Sequence, residues 1–99
     1  MAVIDEIAAE RRRQVEAEGC TPAHDDQHRN GEMAAAAACY ALPGIPLRDR
    51  IANVPKAWPW SREWWKPKDR RRDLIRAAAL LVAEIERLDR ATAAARSTP

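Results

Sequence analysis

The sequence predicts an all-α fold: a small helical bundle with a long C-terminal helix and an irregular segment rich in proline and tryptophan, assembled as an oligomer. Three observations carry that prediction. Apolar residues recur at spacings of three and four over residues 3–18 and again from about Lys68 to Ala94, the period of an amphipathic helix. Between them, Met33 to Leu42 is almost entirely small and apolar, which suits a helix packed close against another. Five prolines, at 43, 46, 55, 59 and 67, interrupt the stretch before the last helix, and proline lacks the amide donor that a regular element needs.

In the first helix Ile4, Ile7, Ala8 and Val15 share one face, Glu6, Glu10, Arg12, Arg13, Glu16 and Glu18 lie elsewhere, and Gly19 supplies the C-terminal stop. Arg11 falls on the apolar face with Gln14 beside it. An arginine there either snorkels to the edge or reaches inward to a carboxylate or phosphate.

Thr21-Pro22 reads as an N-cap followed by proline at the first helical position, opening a short turn over Ala23 to His28. In that turn His24 and His28 share a face while Asp25 and Asp26 point to other sides. Asn30 is placed to cap the second helix, Gly31 to Leu42, with Glu32 in its first turn, where a carboxylate suits the helix dipole. That helix is expected to be buried, with Tyr40 hydrogen-bonded at its edge and Pro43-Gly44 ending it. Leu47 to Asn53 has room for a turn or two of helix.

Trp58, Trp60, Trp64 and Trp65 fall within eight positions. A segment so aromatic and so irregular must pack onto the helices, either as a lid over a small core or as a stacking surface for a ligand. Pro67 is expected to open the last helix, which runs to about Ala94 with Leu74, Ala78, Leu81, Ile85, Leu88 and Thr92 as its stripe, widened by Ile75, Ala79 and Val82. About 27 residues at about 1.5 Å each span about 40 Å, longer than a domain of this size is wide. The surplus length predicts pairing with a second copy. Glu84, on the flank shared by Asp73, Ala77 and Leu80, needs a partner where it is partly buried: Arg11, a metal or a histidine. Residues 1–94 are expected to form one domain, with 95–99 a disordered tail.

The net charge is only +2, but Lys56, Arg62, Lys66, Lys68, Arg70, Arg71, Arg72 and Arg76 crowd into one part of the chain, a local field that attracts an anionic ligand. No apolar run approaches 18 residues and the N-terminus lacks a signal-peptide pattern, so no membrane association is expected. Cys20 and Cys39, in no CxxC arrangement, fit free thiols in a cytoplasmic, reducing compartment. No DNA-binding motif accompanies the basic run, which argues against sequence-specific duplex recognition.

The densest polar stretch is His24-Asp25-Asp26-Gln27-His28, followed by Arg29-Asn30-Gly31-Glu32. Such residues serve as hard-metal ligands, as acid or base groups, or as a capped, solvated helix junction. The metal reading assigns Asp25, Asp26, Glu32 and Glu84 to Mg2+, and zinc is disfavoured because HExxH is absent. The ligand-binding candidates are Arg11, His24, His28, Trp58, Trp60, Trp64, Trp65, Lys66, Arg71 and Arg72, with indoles offering stacking faces and the guanidinium groups bidentate phosphate contacts.

Glu10-Arg11-x-Arg13-Gln14, Glu18-Gly19-x-Thr21-Pro22-x-His24-Asp25-Asp26-x-His28, Gly31-Glu32, Ala37-Ala38-Cys39-Tyr40-Ala41, Trp58-Pro59-Trp60, Trp64-Trp65-Lys66-Pro67, Arg71-Arg72-Asp73-Leu74 and Ala83-Glu84-Ile85-Glu86-Arg87-Leu88-Asp89-Arg90 cover nearly the whole chain. Together they resemble a family of small proteins encoded by tailed phages and prophages. In one departure, Cys20 stands where those relatives usually carry Trp, which alters any site that the aromatic would line. At greater distance the chain is similar to the MazG-like all-α NTP pyrophosphohydrolases, small helical oligomers that present carboxylates to magnesium, although their paired Glu-x-x-Glu and Glu-x-x-Asp signatures are absent in that form.

The resemblance implies a phage-type protein in the host cytoplasm. The leading expectation is binding of a phosphate-bearing nucleotide, which in such a protein would sequester a nucleotide signal of host defence. The alternatives are a Mg-dependent nucleotide pyrophosphohydrolase, with His24 or His28 handling protons, and a protein-binding inhibitor of a host system anchored by its tryptophans.

Overall fold

A computed structural model describes residues 2–42 and 46–97 of the 99. Among them the chain is all-α, as predicted, with no strand: α1 (Val3–Glu18), α2 (Pro22–Asp25), α3 (Glu32–Ala41), α4 (Leu47–Ala52), one 3-10 turn (Arg62–Trp64) and α5 (Arg70–Ser97). Helices α1, α2 and α3 all pack on α5, which is the spine of a molecule measuring 52 × 34 × 22 Å. No helix is long and apolar enough to cross a membrane among the described residues. The expected end of α3 at Pro43-Gly44 lies outside them.

Helix α1 stops where the sequence predicts, with Gly19 at φ 73° and its amide bonded to the Gln14 carbonyl, a left-handed cap that glycine adopts without a Cβ penalty. Its inward face is not the expected one. Ile4 is 73% exposed and Ala8 is exposed, whereas Glu10 and Gln14 are buried. Charge pairing is the cause: Glu10 accepts two bonds of 2.8 Å from Arg13 and another from Arg72 of α5. A carboxylate held by two guanidinium groups can occupy the α1–α5 seam that an unpaired one could not.

Helix α3 buries Met33, Ala36, Ala37, Cys39 and Tyr40 against α5. Its cap is Gly31 at φ 80°, a conformation suited to glycine, rather than Asn30. Glu32 reaches back so that its Oε1 accepts from the Asn30 amide at 2.6 Å. The Tyr40 hydroxyl accepts from the Lys66 amide at 3.3 Å, the edge bond the sequence predicts for it.

Helix α5 opens at Arg70, three residues after Pro67. Asp69 Oδ1 accepts from the Arg72 amide at 2.9 Å and Asp73 Oδ1 from the Lys68 amide at 2.8 Å, so two carboxylates close the helix start. The helix continues through Ser97, past the end expected at Ala94, so residues 95–97 are helical rather than a disordered tail. Its core face is the flank of Asp73, Ala77 and Leu80 together with Ile75, Arg76, Ala79 and Ala83. The leucine stripe turns outward, leaving Leu81 46% and Ile85 57% exposed. The alanine surface of α3 is met at close range by the small residues of α5, which leaves the bulkier aliphatics on the opposite side.

The core gathers Tyr40, Trp58 and Trp65 around Ala36, Ala37, Ala77 and Leu80. Tyr40 stacks on Trp65 at 4.9 Å between ring centroids, and Trp58 meets both edge-on. Beneath the rings Arg50 of α4 donates to buried Asp73 at 2.6 Å, and the Trp65 indole donates to the Arg50 carbonyl at 2.7 Å. This network fastens α4 and the tryptophan segment to the start of α5.

Candidate functional site

Where α1, α2, the tryptophan segment and the middle of α5 meet, they line a half-open cavity of about 350 Å³, within the range of small-molecule sites of about 300–1,000 Å³. Trp60 and Trp64 form one wall, and Met33, Leu80 and Ala83 add apolar surface from α3 and α5. His24 and His28 bring the other rings. The two imidazoles meet edge to face at 5.0 Å, and His28 lies 5.2 Å from Trp60. The Thr21 hydroxyl accepts from the His24 amide at 3.2 Å and proline opens α2, which ends at Asp25 rather than running on to His28. The turn after it, closed by the His28 amide on the Asp25 carbonyl at 2.9 Å, brings His28 back to His24.

Arg11 and Asp25 hold the polar side of the cavity. Of the two fates open to Arg11, the inward one is taken: Nη2 donates to buried Asp25 at 2.8 Å, Nη1 to the Cys20 carbonyl at 3.0 Å, and Nε to Glu86 at 3.3 Å. Burial pushes the Asp25 carboxyl above the ordinary aspartate value and outweighs the opposing charges of Arg11, His24 and His28. Cys20 also borders the cavity, and burial pushes its thiol up to about 11. It is therefore protonated at neutral pH and a poor nucleophile.

The predicted binding residues separate into groups. Arg11, His24, His28, Trp60 and Trp64 line the cavity. The Lys66 ammonium sits 5.1 Å from the centroid of the Trp64 ring, a cation over an exposed indole. Trp58 and Trp65 are core residues. Arg71 is paired with Glu6 and Arg72 with Glu10 on α1, so both tie α5 to α1 and do not line the cavity.

The four carboxylates assigned to magnesium do not converge. Asp25 faces Arg11, Asp26 accepts from Arg90 at 2.8 Å, Glu32 lies 3.4 Å from His28 Nδ1, and Glu84 pairs with Arg87 one turn on. Among the described residues the partner of Glu84 is thus Arg87, not Arg11 or a histidine. Among the described residues no three His, Cys, Asp or Glu side chains form a group that could hold a metal ion. The residues present do not fit the expected magnesium site, because Asp25, Asp26 and Glu84 are each drawn to a different arginine and Glu32 to His28 and the Asn30 amide.

Gln14 is the cavity residue that sequence reasoning left without a role. It is 3% exposed, and its Oε1 has no hydrogen-bond partner among the described residues. Trp60 Nε1, also at the cavity, has none either. Its place beside Arg11 on α1 was legible, but its burial depends on the Glu10 ion pairs that draw that face inward. A smaller annex of about 40 Å³ continues past Gln14 and Trp60 toward Tyr40 and Arg76. Across α2 a second, open hollow of about 460 Å³ carries Arg29, Arg87 and Arg90.

No protein-family model, curated protein or solved structure gives a significant match to this chain.

Proposed function

We propose that the chain binds a phosphate-bearing nucleotide, with its ring system in the cavity and its phosphate at the basic rim, as a phage-type protein that sequesters a nucleotide signal of host defence in the host cytoplasm. One observation carries the reading. A cavity of ligand size is walled by the rings of Trp60, Trp64 and His28, has Arg11 and His24 on its polar side, and has Lys66 over the outer indole. Aromatic faces stack bases with little dependence on sequence, while cations at the edge attract phosphate. Capture rather than turnover is supported by the pairing of Asp25 with Arg11 and of Asp26 with Arg90 and by the protonated state of Cys20.

Self-association belongs to the same proposal. The outward stripe of α5 leaves Leu74, Leu81, Ile85 and Leu88 in solvent, and a second copy of the chain presents the same stripe, which makes a two-fold, self-complementary contact available.

The test is a calorimetric and fluorescence screen of mononucleotides and cyclic dinucleotides, with and without magnesium, followed by analysis of the ligand released on denaturation. Saturable binding, weakened by salt and returning intact ligand, is the expected result. Cleaved ligand would favour the Mg-dependent pyrophosphohydrolase. If no nucleotide changes either the tryptophan emission or the melting temperature, the inhibitor of a host protein becomes the better reading.

A further inference from the structure

We infer that the cavity reads the hydrogen-bonding edge of a heteroaromatic base, Gln14 Oε1 accepting from a base N–H and Trp60 Nε1 donating to a base carbonyl or ring nitrogen. The inference rests on the nucleotide-binding reading and adds the residues that give it base selectivity.

Gln14 Nε2 donates to Glu10 Oε2 at 3.3 Å. That bond sets the amide orientation, since the flipped amide would place its oxygen against a carboxylate. Oε1 is left buried, at a residue bordering the cavity, with no donor among the described residues. Trp60 presents the opposite need. Its ring packs between Trp58 at 5.5 Å and His28 at 5.2 Å, and its Nε1 hydrogen is buried without an acceptor. The indoles of Trp58 and Trp65 in the same segment both donate to carbonyl oxygens, so of these three indoles Trp60 alone, at a residue that borders the cavity and its annex, lacks an acceptor among the described residues. Buried polar groups are nearly always satisfied, by protein, by water or by a ligand, and at residues bordering a ligand-sized cavity a ligand can be that partner.

At the larger cavity one unmet acceptor and one unmet donor select the ligand; the other unmet buried atom among the described residues, Arg76 Nε, belongs to a residue that borders the annex alone. A phosphate or carboxylate brings no N–H for Gln14 and would be repelled by its carbonyl oxygen, and a hydrocarbon ring would satisfy neither group. An amino- or oxo-substituted base carries both a donor and an acceptor in the plane of a ring, and rings are what Trp60, Trp64 and His28 are placed to stack. A site built to bond an N–H rejects the analogue that lacks it, because its own buried polar atom then goes unpaired.

The experiment is isothermal titration of the full chain with AMP, GMP, CMP, UMP and purine riboside 5′-monophosphate, the last having ring acceptors but no base N–H. At least one natural nucleotide should bind about tenfold or more tighter than purine riboside 5′-monophosphate, the worth of one buried hydrogen bond. Gln14→Met should bring that ratio close to one, and Trp60→Phe should weaken both ligands about tenfold. Equal affinities in the wild type, or a ratio that Gln14→Met leaves unchanged, would overturn base-edge recognition while leaving nucleotide binding intact. Should Gln14→Met fail to melt cooperatively, the wild-type ratio and Trp60→Phe decide. Absence of binding by all five also overturns the inference, whereas the nucleotide reading itself stands or falls on the wider screen that includes cyclic dinucleotides.

Discussion

Two pairs of tryptophans, drawn from one eight-residue segment, meet opposite environments. Trp58 and Trp65 are buried, pack with Tyr40, and donate to the carbonyl oxygens of Ser61 and Arg50. Trp60 has a buried N–H with no partner among the described residues, and Trp64 is 44% exposed beneath the Lys66 ammonium. The inner pair has its polar atoms satisfied and its rings covered, so it contributes stability. In the outer pair Trp60 keeps an unmet buried donor and Trp64 a partly exposed ring, both at residues that line the cavity. The indole N–H is bonded at Trp58 and Trp65 and unmet at Trp60, a difference that residue type does not reveal.

The largest expected effects lie in the inner pair. Trp65→Ala removes a stacked ring and strips the Arg50 carbonyl of its donor, and should cost about 3–5 kcal/mol of stability in urea unfolding. Asp73→Ala leaves Arg50 buried without its carboxylate and belongs to the same range of about 3–5 kcal/mol. A fully folded protein with an unchanged urea midpoint in either case would show that this network is not the anchor of α5.

Next comes the same inside-and-outside contrast on α5. Leu81→Asp places a charge on the outward stripe, where Leu81 contacts solvent in the single chain, so it should abolish self-association in sedimentation while changing monomer stability by less than about 1 kcal/mol. A wild-type monomer at high micromolar concentration would remove the self-association proposal. Trp64→Ala sharpens the comparison directly: stability should fall by less than about 1 kcal/mol, whereas nucleotide affinity should fall about tenfold, the scale of one base–aromatic stack. If it destabilises the protein as much as Trp65→Ala does, the division between the pairs is lost.

The smallest effect is a change of slope with pH. Burial pushes the Glu10 carboxyl up, but the Arg13 hydrogen bond and the charges of Arg13, Arg72 and Arg76 outweigh it, so its folded value lies below the ordinary 4.5. The folded state then binds fewer protons than the unfolded one between those two values, and stability falls as pH falls through that window. Glu10→Gln cannot titrate. Its melting temperature should decline less steeply than the wild type's from about pH 5 to pH 3, and parallel slopes would show that Glu10 does not supply the acid sensitivity.

Part of the candidate site was legible in the sequence, and the boundary follows the range of the forces involved. The Thr21 cap can be read within one turn of chain, but the helix it opens ends at Asp25, so His28 meets His24 through the turn that follows and not through helical spacing. The convergence of Arg11 on Asp25 was open among alternatives, because an arginine at a helix edge has several partners within reach. Gln14 carried no signal of its own. The grouping of Asp25, Asp26, Glu32 and Glu84 failed as a metal set because nearness in sequence does not say which arginine each carboxylate meets, and Arg90 comes to Asp26 from 64 residues away.

By itself the sequence determined the helices and their local punctuation: the Gly19 stop, the Thr21-Pro22 start, the close-packing alanine helix and the proline-broken segment. Each depends on backbone dihedral preferences and on hydrogen bonds between near neighbours. Only the tertiary structure decided that α1 turns Glu10 rather than Ile4 inward, that α5 turns its leucines outward, and which tryptophans become core. Burial of a charged group is tolerated only once its partner arrives, and for Glu10 that partner, Arg72, lies 62 residues along the chain.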